Sequence, residues 1–92
     1  MTFELINALN NYCISKHVIV SKVTAYPKTN TFLIDIEKGR KEAIISWSNF
    51  NRQITIRVYG STETNIRVPE EDPNFDEVMG FINDYLTTME FL

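Results

Sequence analysis

The stretch FLIDIEKGRKEAIISW, Phe32 to Trp47, decides how this chain folds. Phe32, Ile34 and Ile36 alternate with Leu33, Asp35 and Glu37. Ala43, Ile45 and Trp47 then alternate with Glu42, Ile44 and Ser46. Strict alternation is the period of a strand with one buried face. Between the two runs, Glu37-Lys38-Gly39-Arg40 supplies a tight turn, with Gly39 free to take a positive φ. The stretch reads as a β-hairpin with one apolar face.

The same period continues on both sides of it. His17 to Tyr26 is rich in β-branched residues and is broken by Pro27 and the Lys28-Thr29-Asn30 run. After a second turn at Ser48-Asn49-Phe50-Asn51, Ile54, Ile56 and Val58 alternate with Gln53, Thr55, Arg57 and Tyr59, ending at Gly60. Four strands joined by short loops predict a four-stranded antiparallel β meander. Residues 61–72 read as an irregular crossing with a short extended piece at Asn65 to Val68.

The ends of the chain change period. Residues 3–15 read as an N-terminal helix, with Thr2 as cap and Glu4 in the first turn. Its apolar stripe is Leu5, Ile6, Leu9, Tyr12 and Cys13, and the weak helix formers Asn7, Asn10 and Asn11 lie mostly off it. A C-terminal helix starts near Asp72 or Asn74, with Pro73 read at the first helical position and Asn74 and Glu77 at capping-box spacing. Phe75, Val78, Met79, Ile82, Tyr85, Leu86 and Met89 form its stripe. Gly80 lies inside that helix, where it costs about 1 kcal/mol against Ala unless a partner packs close. The expected fold is α+β in one domain over residues 1–92, both helices packed on one face of the sheet. Lys22, Asp35, Glu37, Ser46, Thr55 and Arg57 are expected on the other, solvated face.

Composition agrees with a small globular domain. The 92 residues are 43% hydrophobic and 23% charged, with a net charge of −3. A disordered chain is unexpected at these values. The single Cys excludes an internal disulfide. No apolar run approaches the length of a membrane span, and Met-Thr-Phe-Glu-Leu has neither a basic nor an apolar leader region. The expectation is a soluble intracellular protein.

The modest net charge hides a divided chain. Residues 1–62 hold eight Lys and Arg against Glu4, Asp35, Glu37 and Glu42, a net +4. Residues 63–92 hold Glu63, Glu70, Glu71, Asp72, Asp76, Glu77, Asp84 and Glu90 against Arg67 alone, a net −7. Such asymmetry points to an electrostatic partner.

Catalytic patterns are sparse. Cys13 and His17 are the only residues of their kinds and stand four apart, but Cys13 falls on the core stripe and His17 at the helix exit. One Cys and one His are too few for a zinc site, and the acidic run lacks the Asp-x-Asp-x-Asp-Gly loop of an EF-hand. The Gly residues at 39, 60 and 80 make no phosphate loop. No enzyme activity, metal or cofactor is expected. Lys38, Arg40 and Lys41 crowd one hairpin tip with Trp47, Phe50 and Tyr59 near in sequence, a pattern that can hold a single strand. Against it stands a pI near 5.0.

The acidic block has two readings. Carboxylates in a first helical turn stabilise that helix by about 0.3–1 kcal/mol each, which accounts for Asp72, Asp76 and Glu77. It accounts poorly for Glu70 and Glu71, which precede the helix, and not for Asp84. Glu70, Glu71, Asp72, Asp76, Glu77 and Asp84 are expected along one exposed ridge. Carboxylates at helical spacing lie about 6 Å apart, comparable to phosphates along a DNA strand.

With that opening helix, β meander and acidic segment before the last helix, the whole chain resembles the Arn family of small anti-restriction proteins of T-even phages. The resemblance implies a double-stranded-DNA mimic that occupies the DNA-binding surface of a McrBC-type restriction enzyme in the host bacterial cytoplasm. It implies a homodimer that binds neither membrane nor nucleic acid, with Glu63, Glu70, Glu71, Asp72, Asp76, Glu77 and Asp84 as the mimicking surface. DNA mimics are often far more acidic than −3, so the basic residues must face away from the ridge. Phe81, Phe91 and Leu92, at the edge of the last helix's stripe, are where a dimer contact is expected. The alternatives are a generic interaction module such as a toxin antagonist, or a small nucleic-acid-binding protein using the Lys38–Lys41 tip.

Overall fold

A computed structural model describes residues 2–92. The chain runs α1 (Thr2–Ser15), β1 (Ile19–Tyr26), β2 (Thr31–Lys38), β3 (Lys41–Ser48), β4 (Gln53–Val58), β5 (Thr64–Arg67) and α2 (Phe75–Thr88). The Phe32–Trp47 stretch forms the expected hairpin, with Phe32 opposite Trp47 and Ile34 opposite Ile45. Gly39 takes φ 63° in the turn. The strands pair antiparallel in sequence order, β1 to β5.

Alternation sets the two faces. Phe32, Ile34, Ile36, Ala43, Ile45, Trp47, Ile54, Ile56 and Val58 are all buried. They share one core with Leu5, Leu9 and Cys13 of α1 and with Val78, Ile82 and Leu86 of α2. Both helices therefore cover one face of the sheet. Tyr12 joins them by donating to Asn83 Oδ1 at 2.8 Å. Tyr85 fastens α2 to the sheet: its hydroxyl accepts from Val58 N and donates to Thr62 O, both at 3.0 Å.

The sheet has five strands, not the four expected. Thr64–Arg67 pairs with β4, placing Ile66 opposite Ile54 and Arg67 opposite Gln53. The short extended piece expected at Asn65 to Val68 is this strand; with four residues and one apolar side chain, it joins the sheet through its pairing with β4. β1 begins at Ile19 rather than His17, because His17 and Val18 complete the end of α1. At the other edge, Val23 and Ala25 share the helix-facing side with Ile34 and Phe32, yet both are exposed. A bulge at Ser21 shifts the β1–β2 register, and Ser21 Oγ donates to Asp35 O at 3.1 Å.

The start of α2 corrects a second expectation. Its first residue is Phe75 and its N-cap is Asn74, so Pro73 lies before the helix rather than at its first position. The expected cap contact forms, with Glu77 N donating to Asn74 Oδ1 at 3.1 Å. The capping role expected of Thr2 lies outside the described residues, whose side chains begin at Phe3.

Both helices end in the same way. After α1, His17 N donates to Ile14 O and Val18 N to Cys13 O. After α2, Glu90 N donates to Thr87 O and Phe91 N to Leu86 O. These are Schellman motifs, each closed by an apolar residue returning to the core: Val18 in one, Phe91 in the other. The motif's left-handed position holds His17 at φ 57° and Glu90 at φ 56°, where glycine is the usual occupant. A side chain there costs about 1 kcal/mol. His17→Gly and Glu90→Gly should each raise stability by about 0.5–1 kcal/mol, read from the urea midpoint. A lowered midpoint in both would show that these side chains stabilise the helix ends instead.

Candidate functional site

The charged residues are placed by three devices. The first is α2 itself. Burying Val78, Ile82 and Leu86 turns Asp76, Glu77, Gly80 and Asp84 outward, and all four are exposed. Glu77 and Asp84 lie two turns apart, about 10 Å along the axis. Gly80 lies between them, and a Cβ built there meets nothing within 4 Å. No close packing inside the chain accounts for that glycine.

The second device is Arg52. It extends the β4–β5 pairing by one step, accepting from Val68 N at 2.7 Å. Its guanidinium donates to Val68 O at 3.1 Å and Pro69 O at 3.2 Å, and stands 5.4 Å from the Trp47 ring centroid. The chain is thus held at Val68 and Pro69, directly before Glu70, Glu71 and Asp72. All three are exposed, and Asp72 turns the chain at φ 54°. Asp tolerates that left-handed conformation better than most residues. An open groove of about 410 Å³ runs beneath, lined by Asp72, Pro73, Asn74, Phe75 and Asp76.

The third device acts on the basic residues. Lys38 Nζ donates to Lys16 O at 2.8 Å, and Lys41 Nζ donates to Glu90 O at 2.6 Å. The hairpin tip therefore spends both lysines on carbonyls just past the C-terminal ends of the two helices. Neither helix carries a basic residue in its own last turn, so the tip supplies the cations that a helix C-terminus favours. It also fixes the polarity of the molecule. The tip is at the C-terminal end of α2 and the Glu70–Asp72 segment at its N-terminal end, about 21 Å away along a 14-residue helix.

Of the expected surface, Glu70, Glu71, Asp72, Asp76, Glu77 and Asp84 gather along the start and outer side of α2. Glu63 is exposed but lies apart, ahead of β5 at the end opposite Glu70 and next to the Thr62 carbonyl that Tyr85 holds. On the solvated face of the sheet, Glu37 stands opposite Glu42. A hollow of about 200 Å³ beside them mixes Lys22 with Asp35 and Glu42, so charge there is not of one sign.

Cys13 is buried, and burial pushes its thiol up to about 11, unlike the lowered thiol of a nucleophile. His17 is exposed beyond the helix rather than on a shared face with it. Of the residues where a dimer contact was expected, Phe91 is fully buried within the chain, and Phe81 and Leu92 are half-buried against the same core. Sequence reasoning missed Arg52. A basic residue after a turn carries no signal, and only the folded β4–β5 pairing shows that it holds the acidic segment.

No protein-family model, curated protein or solved structure matches this chain.

Gly80→Ala should raise stability by about 0.5–1 kcal/mol, because the site is open and helical. The thermal midpoint checks it, and a fall would point to a steric demand inside the chain.

Proposed function

We propose that this protein is a stoichiometric inhibitor of a McrBC-type restriction endonuclease and acts in the bacterial cytoplasm as a mimic of double-stranded DNA. The reading is supported by one observation above the others. From Glu70 to Asp84 the chain carries six carboxylates and no basic residue, all six exposed, while Lys38 and Lys41 are tied down at the far end.

Folding needs explain only part of this charge. Asp76 and Glu77 lie in the first turn of α2 and suit its dipole. Glu70 and Glu71 lie before the N-cap and Asp84 in the third turn, where the dipole has little effect. These are the charges left for a partner. Opposed to the basic groove of a DNA-binding protein, they steer association at long range and lose effect as salt rises. No turnover is needed, because the complex itself blocks DNA.

The resemblance extends the proposal to a homodimer. With Phe91 buried, the open edge of β1 offers the unpaired backbone groups that a second copy would meet. The nucleic-acid-binding alternative relies on the hairpin tip, and the tethering of Lys38 and Lys41 weighs against it.

The test is a DNA-cleavage assay with a McrBC-type enzyme and a triple variant, Glu70→Lys, Glu71→Lys and Asp72→Asn. Asn is used at 72 because it keeps the left-handed turn. The wild type is expected to stop cleavage near equimolar ratio, and the folded triple variant to lose at least ten-fold in potency. Equal potency of the two proteins would remove the acidic segment from the mechanism.

A further inference from the structure

We infer that the acidic segment acts together with Phe50, an aromatic anchor that enters an apolar pocket ringed by basic groups on the partner protein. This rests on the reading above and adds to it a contact that carries no charge.

Phe50 is 94% exposed, more than any other large hydrophobic residue described. It stands at the tip of the β3–β4 turn. Apart from water-facing turn chemistry, nothing in the fold requires an aromatic there. Its neighbours do the structural work: Asn51 N donates to Ser48 Oγ at 3.4 Å, and Arg52 takes the left-handed conformation at φ 52°. A Phe left in water forgoes the 1.5–3 kcal/mol or so that burial offers.

Its position relates it to the carboxylates. Arg52, two residues on, is bonded through its carbonyl to Val68 N and through its guanidinium to Val68 O and Pro69 O. Adjacent strands lie about 5 Å apart. The Phe50 turn and the Glu70–Asp72 segment therefore leave the sheet side by side at one end, joined by a cation that fixes their spacing. Five carboxylates within eight residues, 70 to 77, demand a basic partner surface. An exposed aromatic beside them fits an apolar pocket within it. Buried aromatics and surrounding charges divide the labour in protein interfaces. The anchor slows dissociation, and the rim charges set the association rate and its salt dependence.

The experiment measures binding to the DNA-binding subunit of the McrBC-type enzyme by surface plasmon resonance at low and high salt. Wild type, Phe50→Ser and the Glu70/Glu71/Asp72 triple variant are compared, with the thermal midpoint of each. Phe50→Ser is expected to keep the wild-type midpoint and lose about 10- to 100-fold in affinity, mostly through faster dissociation and about equally at both salts. The triple variant is expected to lose association rate and salt dependence. If the wild type binds and Phe50→Ser matches it, the anchor is overturned while the inhibitor reading stands. If the wild type does not bind, both fall.

Discussion

Two helices lie side by side on one face of a sheet and point the same way, and this constraint organises the charge of the molecule. Their parallel direction follows from the hairpin tip, where Lys38 meets the end of α1 and Lys41 the end of α2. Parallel dipoles add rather than cancel. Negative ends gather at the tip and positive ends at the opposite pole. The sequence answers with Lys38 and Lys41 at the tip and with Glu4, Asp76 and Glu77 in the first helical turns at the other pole. Part of the division between a net +4 body and a net −7 tail is therefore a requirement of folding, and only the remainder is available for function.

That remainder is specific. Glu70, Glu71 and Asp84 lie beyond the reach of the α2 dipole, and no basic residue occurs between them. Arg52 holds Val68 and Pro69, directly before the first two. Fixing the chain at that point narrows the positions its neighbouring carboxylates can take. Asp84 extends the ridge down α2, past a glycine at which an added Cβ would meet nothing within 4 Å.

Much of the fold was legible because burial imposes period. The alternation in Phe32–Trp47 and the stripe Phe75–Met89 each bury one face, and both elements formed where their pattern placed them. What stayed hidden depends on partners distant in sequence. The short extended piece expected at Asn65 to Val68 was legible, but its membership of the sheet as β5 depends on β4 beside it. Pro73 precedes α2 because Asn74 takes the cap. Phe91 read as an exposed edge residue, but the Schellman turn at Glu90 folds it back into the core. The carboxylates of the candidate site were legible as charge; Arg52, which positions them, was not. The lysines of the tip were visible as a basic cluster, and their use on helix carbonyls was not.

The account's central claim is that this surface takes the place of DNA. Its most direct measurement is competition: a fluorescent duplex bearing modified cytosine, bound to the DNA-binding subunit of a McrBC-type enzyme, is titrated with the protein at several salt concentrations. The account predicts full displacement of the duplex with no ternary complex, and an apparent affinity that falls as salt rises. A ternary complex in which protein and duplex bind together, or displacement indifferent to salt, would contradict it.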